Sequence, residues 1–203
     1  KRGKTMQLAK RLERFDGYHG TAMNAILTRM KEEGKDVINL GLGDPDVFPT
    51  EGMRKSLADA CMSEDNHHYP SFYSAMPLKE AIAEWYKKQF AVSCDSTTEV
   101  TSLLGSADGL FHIHNVLLDV GDMALVPDPS YPAYVASVTV AGGVVEPVPL
   151  LQENGFLPDL DAIDPKIAER AKMIWVNYPN NPTSAYATDE FYLRLIEWAH
   201  KYN

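Results

Sequence analysis

From about residue 100 onward, short apolar runs alternate with longer stretches whose apolar residues recur every three or four positions. The runs predict strands at 100–104, 123–126, 144–148 and 172–177, and the stretches predict helices at 106–118, 131–141, 159–171 and 188–202. In the last helix Phe191, Leu195, Trp198 and Ala199 share the inward side. Alternation of this kind builds an α/β fold, a mostly parallel sheet with helices on both faces. Upstream the pattern is helical. Met23, Ile26, Leu27 and Met30 recur across 21–33, which Gly34 closes, and Met53, Leu57, Ala60 and Cys61 recur after Thr50. Pro77 opens a third helix with Leu78, Ala81, Ile82, Trp85, Tyr86 and Phe90 on one face. Residues 1–49 read as a polar, helix-prone arm and 50–203 as the body.

Three of the expected strands end in chemistry-bearing loops. The first runs into Gly105-Ser106-Ala107-Asp108-Gly109 at a helix start, where free amides, small residues and a hydroxyl suit a phosphate group. Serine is also a preferred helix cap, so an ordinary cap is the alternative. The second ends in Pro127-Asp128-Pro129-Ser130-Tyr131-Pro132, whose prolines hold Tyr131 at the strand's carboxyl edge; a core aromatic is its plainer reading. The third ends in Asn177-Tyr178-Pro179-Asn180-Asn181-Pro182-Thr183, a rigid turn presenting the Asn181 amide. Asn180 reads as a residue serving the turn itself. In open α/β sheets ligands sit at this edge. An anion cradle, a flat aromatic face and a fixed amide together complement a phosphorylated planar heterocycle.

Composition narrows the field. The chain has 203 residues, 45% of them apolar, and a formal net charge of −9, which argues against nucleic acid and anionic membrane partners. Cys61 and Cys94 form no CxxC pair and no disulfide framework, the usage of a reducing, cytoplasmic compartment. No apolar run reaches membrane-spanning length. His67-His68 and His112-x-His114 invite a metal reading, but the second pair diverges on a helix and no cysteine or carboxylate cluster joins either, so no metal is expected. The chain starts at Lys1 and stops at Asn203 just after a helical pattern, where alternation expects another strand, so it reads as a fragment.

These motifs, together with Gly41-Leu42-Gly43-Asp44-Pro45-Asp46, resemble the class I/II aminotransferases, the fold type I pyridoxal 5'-phosphate (PLP) enzymes, over roughly 37–202. The resemblance is closest to the branch that includes LL-diaminopimelate aminotransferase-like proteins. It implies a PLP-dependent aminotransferase, here as an N-terminal portion: an arm, then an incomplete large domain over 50–203. The amino group would pass from an amino acid to a 2-oxo acid, in a homodimer with shared active sites. Ser106 and Ala107 would bind the phosphate through their amides, and Tyr131 would stack on the ring. Asn181 would donate to the ring's phenolic oxygen and help hold the substrate carboxylate, its bond to Pro182 being a candidate cis peptide. Gly43 would lie near the substrate carboxylate, and Tyr69 would reach the phosphate in the neighbouring subunit.

The sequence departs from the family pattern at Ser74 and Ser184, where glycine is usual, and at Ala107-Asp108, where close relatives carry Lys-Glu. The Schiff-base lysine and the carboxylate facing the pyridine nitrogen are expected beyond Asn203, so no catalytic residue is assigned within the chain; Lys166, Lys172 and Lys201 read as surface charges. Two alternatives stay open: another PLP reaction on this scaffold, such as carbon–sulfur β-elimination, and a catalytically silent, dimerising module.

Overall fold

The computed structural model describes residues 7, 9–14, 19–41, 43, 45–69 and 75–202. They form two compact units, one of Lys1–His19 with Leu104–Asn203 and the other of Gly20–Leu103. The boundaries between units thus fall at 19/20 and 103/104, whereas the sequence pattern divides the chain at 49/50.

Within the Gly20–Leu103 unit lie α1 (His19–Glu32) beyond its first residue, α2 (Glu51–Cys61) and α3 (Met76–Phe90). The Thr50 hydroxyl caps α2 by accepting from the Met53 amide at 3.4 Å. Pro77 sits in the first turn of α3, and Ala91 ends it in the left-handed region. The apolar face of α3 is not buried: Leu78, Trp85, Tyr86 and Phe90 stay about half exposed, the three aromatic rings meeting edge to face. What α3 buries is Lys79, whose ammonium donates to the Thr97 carbonyl at 3.1 Å.

The strand expected at 100–104 does not form. These residues enter no ladder among the described residues, and Leu104 lies almost wholly exposed. A strand exists through its neighbours' hydrogen bonds, and local periodicity does not report them.

The other unit is built on a parallel sheet in the order β2-β1-β3, with β1 (Met123–Asp128) flanked by β2 (Val144–Pro149) and β3 (Ala171–Ile174). Its helices are α4 (Ser106–Leu117), α5 (Ala133–Ala141), α6 (Pro165–Ala168) and α7 (Asp189–Tyr202). Central β1 is buried from Met123 to Pro127, which explains its continuous apolar run. It outlasts its expected end at 126 because Pro127 lacks only a donor; the Asp128 carbonyl still accepts from the Leu150 amide at 2.8 Å.

Alternation along β3 splits the core. Met173 and Trp175 join Ala124, Val126, Leu118, Tyr134 and Val138 under α4 and α5. Ile174, Val176 and Tyr178 join Leu160, Phe191 and Leu195 on the α7 side. Helices therefore cover both faces, as strand–helix alternation predicts, and each fully buried Val or Leu contributes about 1.5–3 kcal/mol.

The helix expected over 159–171 shrinks to four residues. The Asp159 carboxylate accepts from the Asp161 amide at 3.1 Å, closing a turn that competes with helix. Helix begins only where the Asp164 side chain caps it and Pro165 takes the first position.

Candidate active site

The β1 and β3 ends and the start of α4 supply the three loops singled out by sequence. Gly105 precedes α4 with φ +93°, a conformation that strains residues with a Cβ, and it has no side chain to cap with. Ser106 is therefore the first helical residue rather than the cap, and its side chain is exposed. The Ser106 and Ala107 amides open the helix with no acceptor inside it, at the positive end of its dipole. Asp108 turns its carboxylate away into local contacts, accepting from the Leu104 amide at 3.2 Å and meeting His112 at 3.1 Å.

Past β1 the chain passes through a cis Asp128–Pro129 bond to Tyr131, and Pro132 caps α5. Tyr131 is 36% exposed, while Tyr134, one turn on, is buried. Their rings meet edge to face, centroids 5.9 Å apart at 84°. Burial raises the Tyr134 phenol above its ordinary value, and Tyr131 adds to the shift.

Beyond β3, the Tyr178–Pro179 and Asn181–Pro182 bonds are both cis, the second as flagged from sequence. The two adjacent asparagines have opposite surroundings. Asn180 is 5% exposed, and its Oδ1 accepts from the Thr183 amide at 3.2 Å and the Thr183 hydroxyl at 2.8 Å. Its backbone N–H donates to Ala185 and its carbonyl accepts from Ser184. Asn181 is exposed. Ser184, where the family pattern has glycine, adopts φ +60°, a left-handed conformation that favours glycine; Ser74 lies outside the described residues. Tyr178 anchors the loop's start by donating from its hydroxyl to the Phe156 carbonyl at 2.9 Å, and burial pushes its pKa up to about 12.

These loops meet. Ser106, Leu110, Tyr131, Tyr134, Asn177 and Asn181 line one concavity of about 360 Å³. The donor set comprises helix-start amides, a hydroxyl, two amide side chains and an aromatic face, and it fits a flat ring with an anionic substituent. Gly43 and Tyr69 belong to the other unit, where Tyr69 is 100% exposed and a Cβ on Gly43 would meet nothing within 4 Å.

Sequence reasoning missed Asn177, Leu110 and Tyr134 as lining residues. Asn177 stood in the quoted loop but was not separated from its neighbours, and Tyr134 follows Tyr131 by one helical turn, a spacing that could have marked it. The histidines on α4 have found other partners than a metal. His112 meets Asp108, and buried His114 contacts the Leu110 carbonyl at 2.5 Å and the Trp175 indole N–H at 2.7 Å. Lys172, read as a solvated charge, forms an ion pair with Asp122 at 2.6 Å. That hydrogen bond raises the Lys172 pKa and lowers that of Asp122.

Comparison with known proteins points the same way. Residues 35–203 match the family model described as aminotransferase class I and II. The chain is 46% identical over 172 residues to LL-diaminopimelate aminotransferase of Aquifex aeolicus (strain VF5), covering 85% of this chain and 44% of that protein. Against the enzyme of the same name from Halothermothrix orenii it is 42% identical over 198 residues, covering 98% and 51%. Among solved structures, substrate-bound BacF from Bacillus subtilis superimposes with a TM-score of 0.90 at 35% identity, covering 98% of this chain and 50% of that one. The chain spans about half the length of the relatives it matches.

Proposed function

From the premise that this chain belongs to the class I and II aminotransferases, we propose that the whole protein moves an amino group from an amino acid to a 2-oxo acid with PLP as cofactor. The observation that carries this reading is the meeting of Ser106, Tyr131 and Asn181 at one concavity. Bound there, PLP supplies an electron sink for the charge left when the substrate's α-carbon gives up its proton. The chain's own residues hold and orient. The Ser106 and Ala107 amides and the Ser106 hydroxyl take the phosphate at the helix start. Tyr131 offers its ring face, and the Asn181 amide donates to the phenolic oxygen and reaches for the substrate carboxylate. Tyr178, bonded to the Phe156 carbonyl, and Asn180, bonded to Thr183, fix the loop that carries Asn181.

LL-diaminopimelate is the amino donor we propose, since two relatives bear the name of that activity. The cofactor-bearing lysine belongs, on this reading, to the remaining half of the whole protein. The division into an arm (1–49) and the start of a cofactor-binding domain (50–203), the cytoplasmic homodimer, and the roles of Gly43 and Tyr69 are part of the same proposal. No described helix is long and apolar enough to cross a membrane.

The test is an assay of the whole protein for amino-group exchange between LL-diaminopimelate and a 2-oxo acid, beside an assay for pyruvate and ammonia release. Exchange is expected, and Asn181→Ala should lower it roughly ten- to a hundredfold, the worth of a hydrogen bond to a charged group. Release of pyruvate and ammonia without exchange would overturn the reading.

A further inference from the structure

Behind the concavity a file of aromatic rings runs into the core and ends on a histidine with no other task in the reading above. Tyr131 meets Tyr134 edge to face. Tyr134 lies flat on Trp175, centroids 4.7 Å apart and 7° from parallel. The Trp175 indole N–H points at Nε2 of His114, 2.7 Å away, and His114 is 0% exposed. Tyr131 and Tyr134 both line the concavity, as does Leu110, whose carbonyl takes the other ring nitrogen of His114 at 2.5 Å.

Hydrogen-bond capacity fixes the state of this histidine. A carbonyl only accepts, so Nδ1 must carry the proton; an indole N–H only donates, so Nε2 must be bare. His114 is therefore neutral with the proton on Nδ1, and burial lowers its pKa in the same sense. Both nitrogens are engaged, which removes it from metal binding and from proton transfer at the site. What it does fix is the indole. Trp175 could seat its two-ring plane in either of two orientations related by a half-turn, but only one offers the N–H to His114. The other takes the partly buried indole N–H away from that acceptor.

We propose that His114 is a positioning residue, selecting the orientation of Trp175 and, through Tyr134, the placement of the Tyr131 ring at the concavity. The cofactor consequence rests on the proposed PLP reading; the hold on the aromatic file does not. Two substitutions separate positioning from simple core stability. His114→Gln keeps an acceptor near Nε2, whereas His114→Leu deletes it. The double variant H114L/W175F removes donor and acceptor together, so no polar group is left unpaired and stability should recover toward wild type.

The experiment uses the whole protein and two spectroscopic readouts. In the apoprotein, the near-ultraviolet circular dichroism of Trp175, taken by difference from Trp175→Phe, should persist in H114Q and be lost in H114L. With PLP added, the visible circular dichroism of the bound cofactor should keep its shape in H114Q. In H114L and the stability-restored double variant it should change, with Kd raised roughly three- to tenfold, the worth of one lost hydrogen bond. An unchanged near-ultraviolet signal in H114L overturns the proposal. So does a double variant that recovers both cofactor dichroism and Kd, because His114 would then only satisfy a buried donor. If wild type binds no PLP, the proposed function fails, while the apoprotein spectra still decide the role of His114.

Discussion

Asn180 and Asn181 are neighbours of identical chemistry, and the structure assigns them opposite consequences on mutation. In Asn180→Ala the Thr183 amide and hydroxyl lose their shared acceptor, bonds of 3.2 and 2.8 Å to an oxygen on a residue only 5% exposed. At about 0.5–1.5 kcal/mol per bond the loss is about 1–3 kcal/mol. For a chain of 203 residues each kcal/mol moves Tm by about 2–4 °C, so the variant chain should melt several degrees early. Asn181→Ala removes an exposed side chain, so its stability should change by no more than about 0.5 kcal/mol. On the proposed function its cost falls on PLP binding. Thermal unfolding of the apoprotein and calorimetric titration with PLP, run on both variants, separate the two effects. Equal destabilisation by Asn181→Ala and Asn180→Ala, or an Asn180→Ala variant that melts with the wild type, would rule out these opposite roles.

Other outcomes follow from the same geometry. His114 has a folded-state pKa below its ordinary 6.5, so the unfolded chain takes up the proton first. Stability should be full above that pH and decline as pH falls below it, a dependence that His114→Gln flattens in urea titrations. Tyr178 titrates at about 12 rather than 10, so its contribution is present below pH 10 and lost on the alkaline side; Tyr178→Phe should remove that slope. Ser184→Gly relieves the left-handed backbone at φ +60°, a gain of about 1–2 kcal/mol reduced by glycine's added freedom when unfolded, so a small net rise in Tm is expected. Gly105→Ala should destabilise by about 1–3 kcal/mol and weaken phosphate binding on the proposed function, since φ +93° with ψ 159° is a backbone region essentially reserved for glycine.

How legible these features were in the sequence depended on how local their causes are. The β1 run and the stripe of Phe191 and Leu195 on α7 are legible because burial and period coincide there, whereas β2, with Val148 alone buried, is marked by its β-branched residues. Proline and asparagine spacing likewise marks the Tyr131 and Asn181 loops, which follow adjacent parallel strands and so share one sheet edge, and the start of α4 brings Ser106 to the same concavity. Non-local facts stayed hidden. Nothing in residues 100–104 says whether a neighbour exists to pair with them, and an apolar period over 159–171 outweighed the turn at Asp159 and the cap at Asp164. The His114–Trp175 bond joins residues 61 positions apart, a match of donor to acceptor that no spacing encodes. Asn180 could be told from Asn181 as a turn residue, but not the Thr183 contacts that occupy it.

The most direct test of the central claim is a crystal structure of the whole protein grown with PLP. The phosphate should lie on the Ser106 and Ala107 amides, the ring against Tyr131, and the Asn181 amide at the phenolic oxygen. Cofactor density elsewhere in the protein, with Ser106, Ala107, Tyr131 and Asn181 out of contact with it, is the contrary result.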